Sequence, residues 1–239
     1  MVGGLATKAT GIVLDVARQR GGAMPGVVTL HDHSRFGNDG AMTNMAWVQL
    51  PSGLWVPSFN GVSSYADCGV DNSLDMGSGD FTVLFWFCRA PIFISETFCI
   101  KGGTGIAGKR YLASLTGGAG LGQPRFQIDD DGGGGLREIQ SAGNFADNIY
   151  HLYGGMRDGN NIRLFLDGVE DAASPTAIGA YGSLDQAHSL LIGCGFNHAT
   201  LTRVDYYEGY IAIIRIYSYA LSPAQIRSRF NATRRLFGV

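Results

Sequence analysis

Glutamate is scarce in this chain, with four among 239 residues: Glu96, Glu138, Glu170 and Glu208. Cleaving a glycosidic bond ordinarily takes two carboxyl groups, one as acid and one as nucleophile or base. The four glutamates stand far apart in sequence. Glu170 does adjoin Asp171, but a strand would send neighbours to opposite faces. Cysteine is equally scarce, at Cys68, Cys88, Cys99 and Cys194, and no pair has CxxC spacing. Four cysteines in so long a chain make no disulfide framework, so buried thiols are expected. Only 16% of residues are charged and the net charge is −2. That balance provides no field for nucleic acid or an anionic membrane surface. No apolar run is long enough to insert in a bilayer. Met1 to Ala17 lacks the basic start, apolar stretch and small-residue cleavage site of a secretion signal. There is no Gly-x-Ser-x-Gly elbow and no phosphate-binding glycine loop in a strand–helix setting.

Glycine is plentiful, at 36 residues, and 45% of the chain is hydrophobic. Together these describe many short strands joined by tight turns rather than disorder. The length suits one β-sandwich domain spanning residues 1–239. Gly11–Ala17, Val27–Leu30, Trp47–Leu50, Leu54–Phe59, Phe81–Arg89, Tyr111–Leu115, Arg125–Ile128, Ile149–Met156, Asn161–Asp167 and Ser189–Gly193 read as strands. Gly21–Gly26 and Pro51–Gly53 read as loops, and Asn60–Gly61 as a hairpin turn. Asp129–Asp131 followed by glycines reads as a solvated turn, because the alternating acids of a calcium loop are missing. Phe81, Val83, Phe85 and Phe87 alternate with Leu84, Trp86 and Cys88. Both faces of that strand are apolar, so both need covering.

The most informative stretch is Gly209–Asn231. Tyr210–Tyr217 is a strand rich in β-branched and aromatic residues. The period then changes. Ser222 caps a helix, Pro223 occupies its first position and Gln225 completes a capping box. Leu221 and Ile226 form a hydrophobic staple, and Ile226 and Phe230 share a helix face. Arg227, Arg229, Arg234 and Arg235 make a solvated basic end.

The order of these motifs resembles LamG-like jelly-roll domains of the concanavalin A-like lectin/glucanase superfamily. The matching pieces are Asp32, Ser34, Gly37, Asn38 and Gly40 in an N-terminal turn; Phe59-Asn60-Gly61; Phe81–Trp86; Ile162–Gly168; Ser189–Gly193; and the strand–Leu-Ser-Pro–helix tail. The resemblance implies an all-β sandwich of two antiparallel sheets with a short C-terminal helix. The catalytic pattern of glycosidases in the superfamily, Glu-x-Asp-x-x-Glu, is absent, so no enzyme activity is expected. Relatives often hold a calcium ion between the N-terminal turn and the last strand. Asp32 and Asn38 match the turn, but Ala212 and Ile213 stand where the last strand usually carries acids. The expectation is therefore no cofactor, with calcium on Asp32 and Asn38 as the alternative. His31 and His33 read as surface residues of a turn.

Sugar binding in such a fold uses loop aromatics with nearby polar groups. Tyr181, Phe196, Asn197, His198, Tyr206 and Tyr207 are the candidates. The first functional expectation is a non-catalytic subunit of a larger assembly, homo-oligomeric or docked on a phage capsid or tail. Such a protein would be made in the host cytoplasm and found in the virion. A family of mostly extracellular members in a chain without an export signal motivates it, as does the doubly apolar Phe81–Arg89 strand. The alternative is an extracellular carbohydrate-binding lectin module, with a glycoside hydrolase third.

Overall fold

The computed structural model describes residues 11–16, 26–91, 94–104, 108–117, 122–132 and 135–239. Two antiparallel sheets dominate it. The nine-stranded sheet runs β14 (Val169–Glu170), β13 (Asn161–Leu166), β12 (Tyr150–Asp158), β7 (Phe81–Cys88), β19 (Glu208–Tyr217), β5 (Trp55–Asn60) and β4 (Ala46–Gln49), with β1 (Ile12–Val16) also on β19 and β15 (Thr176–Ala177) also on β13. The eight-stranded sheet runs β11 (Leu136–Gln140), β10 (Gln123–Asp129), β9 (Arg110–Thr116), β8 (Glu96–Gly102), β16 (Leu190–Ile192), β6 (Tyr65–Asp67), β3 (Gly40–Thr43) and β2 (Thr29–Leu30). A hairpin of β17 (Gly195–Asn197) and β18 (Thr202–Val204) stands apart from both. Ala17, residues 21–25 of the expected loop and residues 133–134 of the glycine run lie outside the described residues.

Alternation builds the core. Phe81, Val83, Phe85 and Phe87 of β7 point between the sheets, where they meet Phe98, Tyr111, Phe126 and Tyr153. The opposite face of β7, with Leu84 and Trp86, packs outward beneath α1 (Pro223–Thr233) and the C-terminal residues. Trp86 is fully buried, stacked on Phe230 at 5.6 Å and Phe237 at 4.4 Å, and its indole N–H donates to Thr233 Oγ1 at 2.9 Å. The doubly apolar strand is therefore covered on its second face by the chain's own tail. The docking surface expected there is already occupied.

The helix starts as its residues require. Ser222 Oγ accepts from Gln225 N, and Gln225 Oε1 accepts from Ser222 N at 2.8 Å, closing the capping box. Leu221 and Ile226 are both buried. In the Asp167-Gly168 turn, Gly168 has φ +77 and lies against α1. A Cβ there would sit 3.0 Å from that of Phe230, so both backbone and packing require glycine.

Three local readings change in the folded chain. Asn60–Gly61 makes no two-residue hairpin, because β5 and β6 belong to different sheets. Asn60 Oδ1 instead accepts from the backbone N–H groups of Val62, Ser63 and Ser64, shaping a crossing between layers. Asp129 and Asp130 are buried rather than solvated. Asp130 accepts from the backbone N–H groups of Gly132, Gly135 and Gly182, and these bonds hold its carboxyl below the usual range against the opposing effect of burial. The last strand is not continuous in register. A bulge at Ile213, with φ 49, shifts β19 against β7. Before it β19 pairs with β5, and beyond it with β1.

Candidate ligand trough on the eight-stranded sheet

Among the described residues, no helix side chain joins the apolar cluster on the outer face of the eight-stranded sheet. Ala66 of β6 points to the core, so Tyr65 and Asp67 point out. Leu191 of β16 does the same between inward Leu190 and Ile192. Leu191, Ile100, Leu112 and Cys194 form a small apolar floor, with Tyr65, Phe196 and Tyr206 packed against it. The β17–β18 hairpin rises from this floor. It is fastened by Thr104, whose N–H donates to Phe196 O at 2.7 Å and whose carbonyl accepts from His198 N at 2.8 Å.

Two adjoining depressions lie on this face. The larger, about 640 Å³, is lined by Phe36, Asn38, Asp39, Tyr65, Asp67 and Val70, among others. The smaller, about 80 Å³, is lined by Asp67, His188, Leu191, Phe196 and Arg203, with Gly102 and Ser189. Asp67 borders both. Arg203 stands over the Tyr65 ring at 4.1 Å and reaches Asp67 Oδ2 at 3.4 Å, so the two depressions meet across these three residues. His188 and His198 are edge to face at 4.2 Å, and Phe196 lies 5.2 Å from His188. Burial lowers the His188 pKa, and nearby His198 and Lys101 lower it further. Lys101 is completely buried and ties down the segment carrying His188. Its ammonium donates to Gln186 O at 3.0 Å and His188 O at 2.7 Å, and pairs with Asp75 at 3.1 Å.

The six residues singled out in the sequence divide here. Phe196, His198 and Tyr206 stand together at the hairpin and the floor beneath it. Asn197 shapes the hairpin turn, its Oδ1 accepting from Ala199 and Thr200 N–H. Tyr181 and Tyr207 are corrected: both are buried. The Tyr181 hydroxyl bonds Ile128 O and Gly135 O, and the Tyr207 hydroxyl donates to Cys88 O at 2.8 Å. Sequence reasoning missed Tyr65, Asp67, His188 and Arg203. The period-two pattern of Tyr65-Ala66-Asp67 was the available signal.

The Asp32 carboxylate is engaged by hydrogen bonds. Its Oδ1 accepts from Asp15 N and Ser34 N, each at 2.8 Å; its Oδ2 accepts from Ser34 Oγ at 2.6 Å and Asn38 N at 2.7 Å. Four hydrogen-bond donors pointed at one carboxylate are the wrong surroundings for a cation. Asn38 uses its amide N–H to bond Ser73 Oγ at 2.9 Å. Asp15 itself pairs with Arg215 of β19 at 2.9 Å. Hydrogen bonds and one ion pair thus tie the N-terminal turn to the last strand. Among the described residues no three of His, Cys, Asp and Glu converge as metal ligands. The four cysteines are free and buried. No helix among the described residues is long and apolar enough to cross a membrane.

Residues 60–227 match the Laminin_G_3 family model of the concanavalin A-like lectin/glucanases superfamily. The chain belongs to this superfamily. No curated protein matches it in sequence. Among solved structures, this concanavalin A-like chain resembles the binding domain of Paraclostridial Mosquitocidal Protein 1. That match has a TM-score of 0.69 and 15% identity, over 93% of this chain and 52% of the other. The binding domain of botulinum neurotoxin serotype G follows, with a TM-score of 0.66 and 13% identity, over 93% of this chain and 51% of the other. Domain 4 of AbnA, an extracellular arabinanase from Geobacillus stearothermophilus solved with arabinotriose, matches with a TM-score of 0.61 and 14% identity, over 91% of this chain and 97% of the other. The chain spans about half the length of the two toxin binding domains. At these identities the likeness is one of fold.

Proposed function

We propose that this chain is a non-catalytic carbohydrate-binding module, one sandwich domain whose ligand lies in the trough on the eight-stranded sheet. The observation that carries the reading is the Tyr65–Asp67–Arg203 group at the meeting of the two depressions, with Phe36 and Phe196 at either end. Aromatic faces stack on sugar rings, and carboxylate and amide groups take their hydroxyls. The fold supports it, since AbnA domain 4, of the same shape, was solved with a trisaccharide.

The glutamates support a non-catalytic role, because each is paired with arginine. Arg89 holds Glu96 at 2.8 Å and Glu208 at 3.1 Å, Arg125 lies 3.8 Å from Glu138, and Arg163 holds Glu170 at 2.7 Å. A subunit docked on a virion is the competing reading. One observation behind it was the doubly apolar β7, and the second face of that strand carries α1 and the C-terminal residues.

A glycan array with the purified chain tests the proposal, alongside sizing of the protein in solution. We expect a monomer that captures a defined set of glycans, with capture lost in Tyr65→Ala. A stable oligomer that retains no glycan would refute the module and favour assembly.

A further inference from the structure

Seven buried side-chain nitrogen or oxygen atoms lack a hydrogen-bond partner among the described residues; one of them belongs to a residue lining the small pocket and two to residues that touch its His188. These three are Arg203 Nε, His198 Nε2 and Gln186 Nε2. Arg203 lines the pocket. His198 and Gln186 touch His188, which also lines it: His198 through its ring, and Gln186 through an Oε1 that accepts from His188 N at 2.9 Å. Buried polar atoms are nearly always satisfied, so such a cluster points to a missing partner. Arginine Nε and an amide nitrogen only donate. The missing partner therefore brings acceptors.

Of the three, Arg203 is the residue that lines the pocket itself. A guanidinium carries five N–H donors in a rigid fork. Here one long contact, 3.4 Å to Asp67, is the hydrogen bond it makes among the described residues. Stacking on Tyr65 holds the fork in place without using its donors. Lys101 and His198 add positive potential at His188, in keeping with that residue's lowered pKa. The larger depression is opposite in character. Asp39 and Asp71 line it, no lysine or arginine does, and Asp67 lines both depressions, where it pairs with Arg203. An anion is repelled from that side and drawn toward Arg203. The pocket's volume of about 80 Å³ corresponds to about two or three waters at liquid density. That is room for one small charged group and not for a sugar ring.

We propose that the small pocket is an anion-reading subsite of the trough, in which Arg203 receives the carboxylate or sulfate of an acidic saccharide whose uncharged portion lies over Tyr65. The inference rests on the carbohydrate-binding reading and names the class of saccharide. Fork-on-carboxylate pairing supplies both charge and direction, which a neutral hydroxyl cannot match.

The test compares four ligands by titration calorimetry on the full chain: a uronate-containing oligosaccharide, its carboxyl-reduced form, a sulfated oligosaccharide and its desulfated form. Removing the charge should weaken binding by about 10- to 100-fold, the range for hydrogen bonds to charged groups. Whichever acid shows the larger loss identifies the anion. Arg203→Gln should abolish the difference between each acidic ligand and its neutral form, whatever it does to the affinity the two forms share. Arg203→Lys, which keeps the charge but not the fork, should restore part of it. Should Arg203→Gln fail to fold, the ligand pairs on the unmodified protein decide the matter alone. Neutral forms that bind as tightly as acidic ones would overturn the subsite and leave the trough standing. Binding of none of the four, with a blank glycan array, would overturn both.

Discussion

On the outer face of the nine-stranded sheet, Trp86 lies fully buried between Phe230 and Phe237 with its N–H bonded to Thr233. On the outer face of the eight-stranded sheet, Tyr65 is half-buried, with Arg203 above it and a depression of about 640 Å³ alongside. Both faces begin from the same pleat, which sends alternate side chains outward. The difference lies in what is outward. Leu84, Trp86, Leu152 and Phe165 offer one side-chain polar group, the Trp86 N–H that Thr233 accepts, so the chain's tail closes over them. Tyr65, Asp67 and Arg203 can remain in water, and the β17–β18 hairpin covers only part of their surface. One sheet uses its outer face for stability; the other keeps it available.

The sharpest way to break this contrast is to exchange the costs. Trp86→Ala should destabilise the protein by about 3–5 kcal/mol, the range for large aromatic truncations in a core. Urea denaturation measures it, and an unchanged midpoint would take the helix-covered face out of the core. Thr233→Val removes the partner of the Trp86 N–H and leaves a buried donor unpaired, so a loss of about 1–3 kcal/mol is expected in the same assay.

A smaller effect comes from His151, at the rim of the nine-stranded sheet. Burial lowers its pKa, but Asp167 at 2.8 Å and Asp147 at 3.1 Å more than reverse this, so the net shift is upward. Phe87 and Phe145 pack on its ring. Folding therefore favours the imidazolium. The stabilisation is complete below the unfolded value, near 6.5, and is lost as pH rises through the folded value. The melting temperature should fall as pH rises above 6.5, and His151→Asn should flatten that slope.

On the open face the expectation inverts. Tyr65→Ala should change stability by no more than about 1 kcal/mol while abolishing glycan capture. Equal losses of stability in Tyr65→Ala and Trp86→Ala would erase the distinction between the faces. Smallest of all is the response to a chelator. Asp32 is engaged by four N–H and O–H donors, so the melting temperature should not move. A drop of many degrees restored by calcium would overturn that account.

Local chemistry was legible in the sequence. Ser222, Pro223 and Gln225 specify a helix start through bonds spanning three residues, and the fold contains it. The parity of β7 was legible too, because alternation follows from the backbone alone. Fold class followed from many such signals in order. The candidate trough was only half legible. Phe196, Asn197, His198 and Tyr206 lie near one another in sequence, and the hairpin keeps them together. Tyr207 adjoins Tyr206 yet turns into the core, and nothing local sets which of two adjacent tyrosines goes inward. Asn60–Gly61 has the composition of a hairpin turn, and turn composition does not encode whether the next strand joins the same sheet.

By itself the sequence determined many of the strands, though not β8 or β11, with the helix cap and the two-faced character of β7, since these depend on neighbours a few residues away and on a fixed repeat of the backbone. Only the tertiary structure decided which face the C-terminal residues close, which tyrosines are buried, and that Tyr65, Asp67, His188 and Arg203 meet. Those outcomes depend on pairings between residues far apart in sequence, such as Arg203 with Asp67, 136 positions away. Contacts at that separation arise from sheet register and layer packing, and no local pattern carries them.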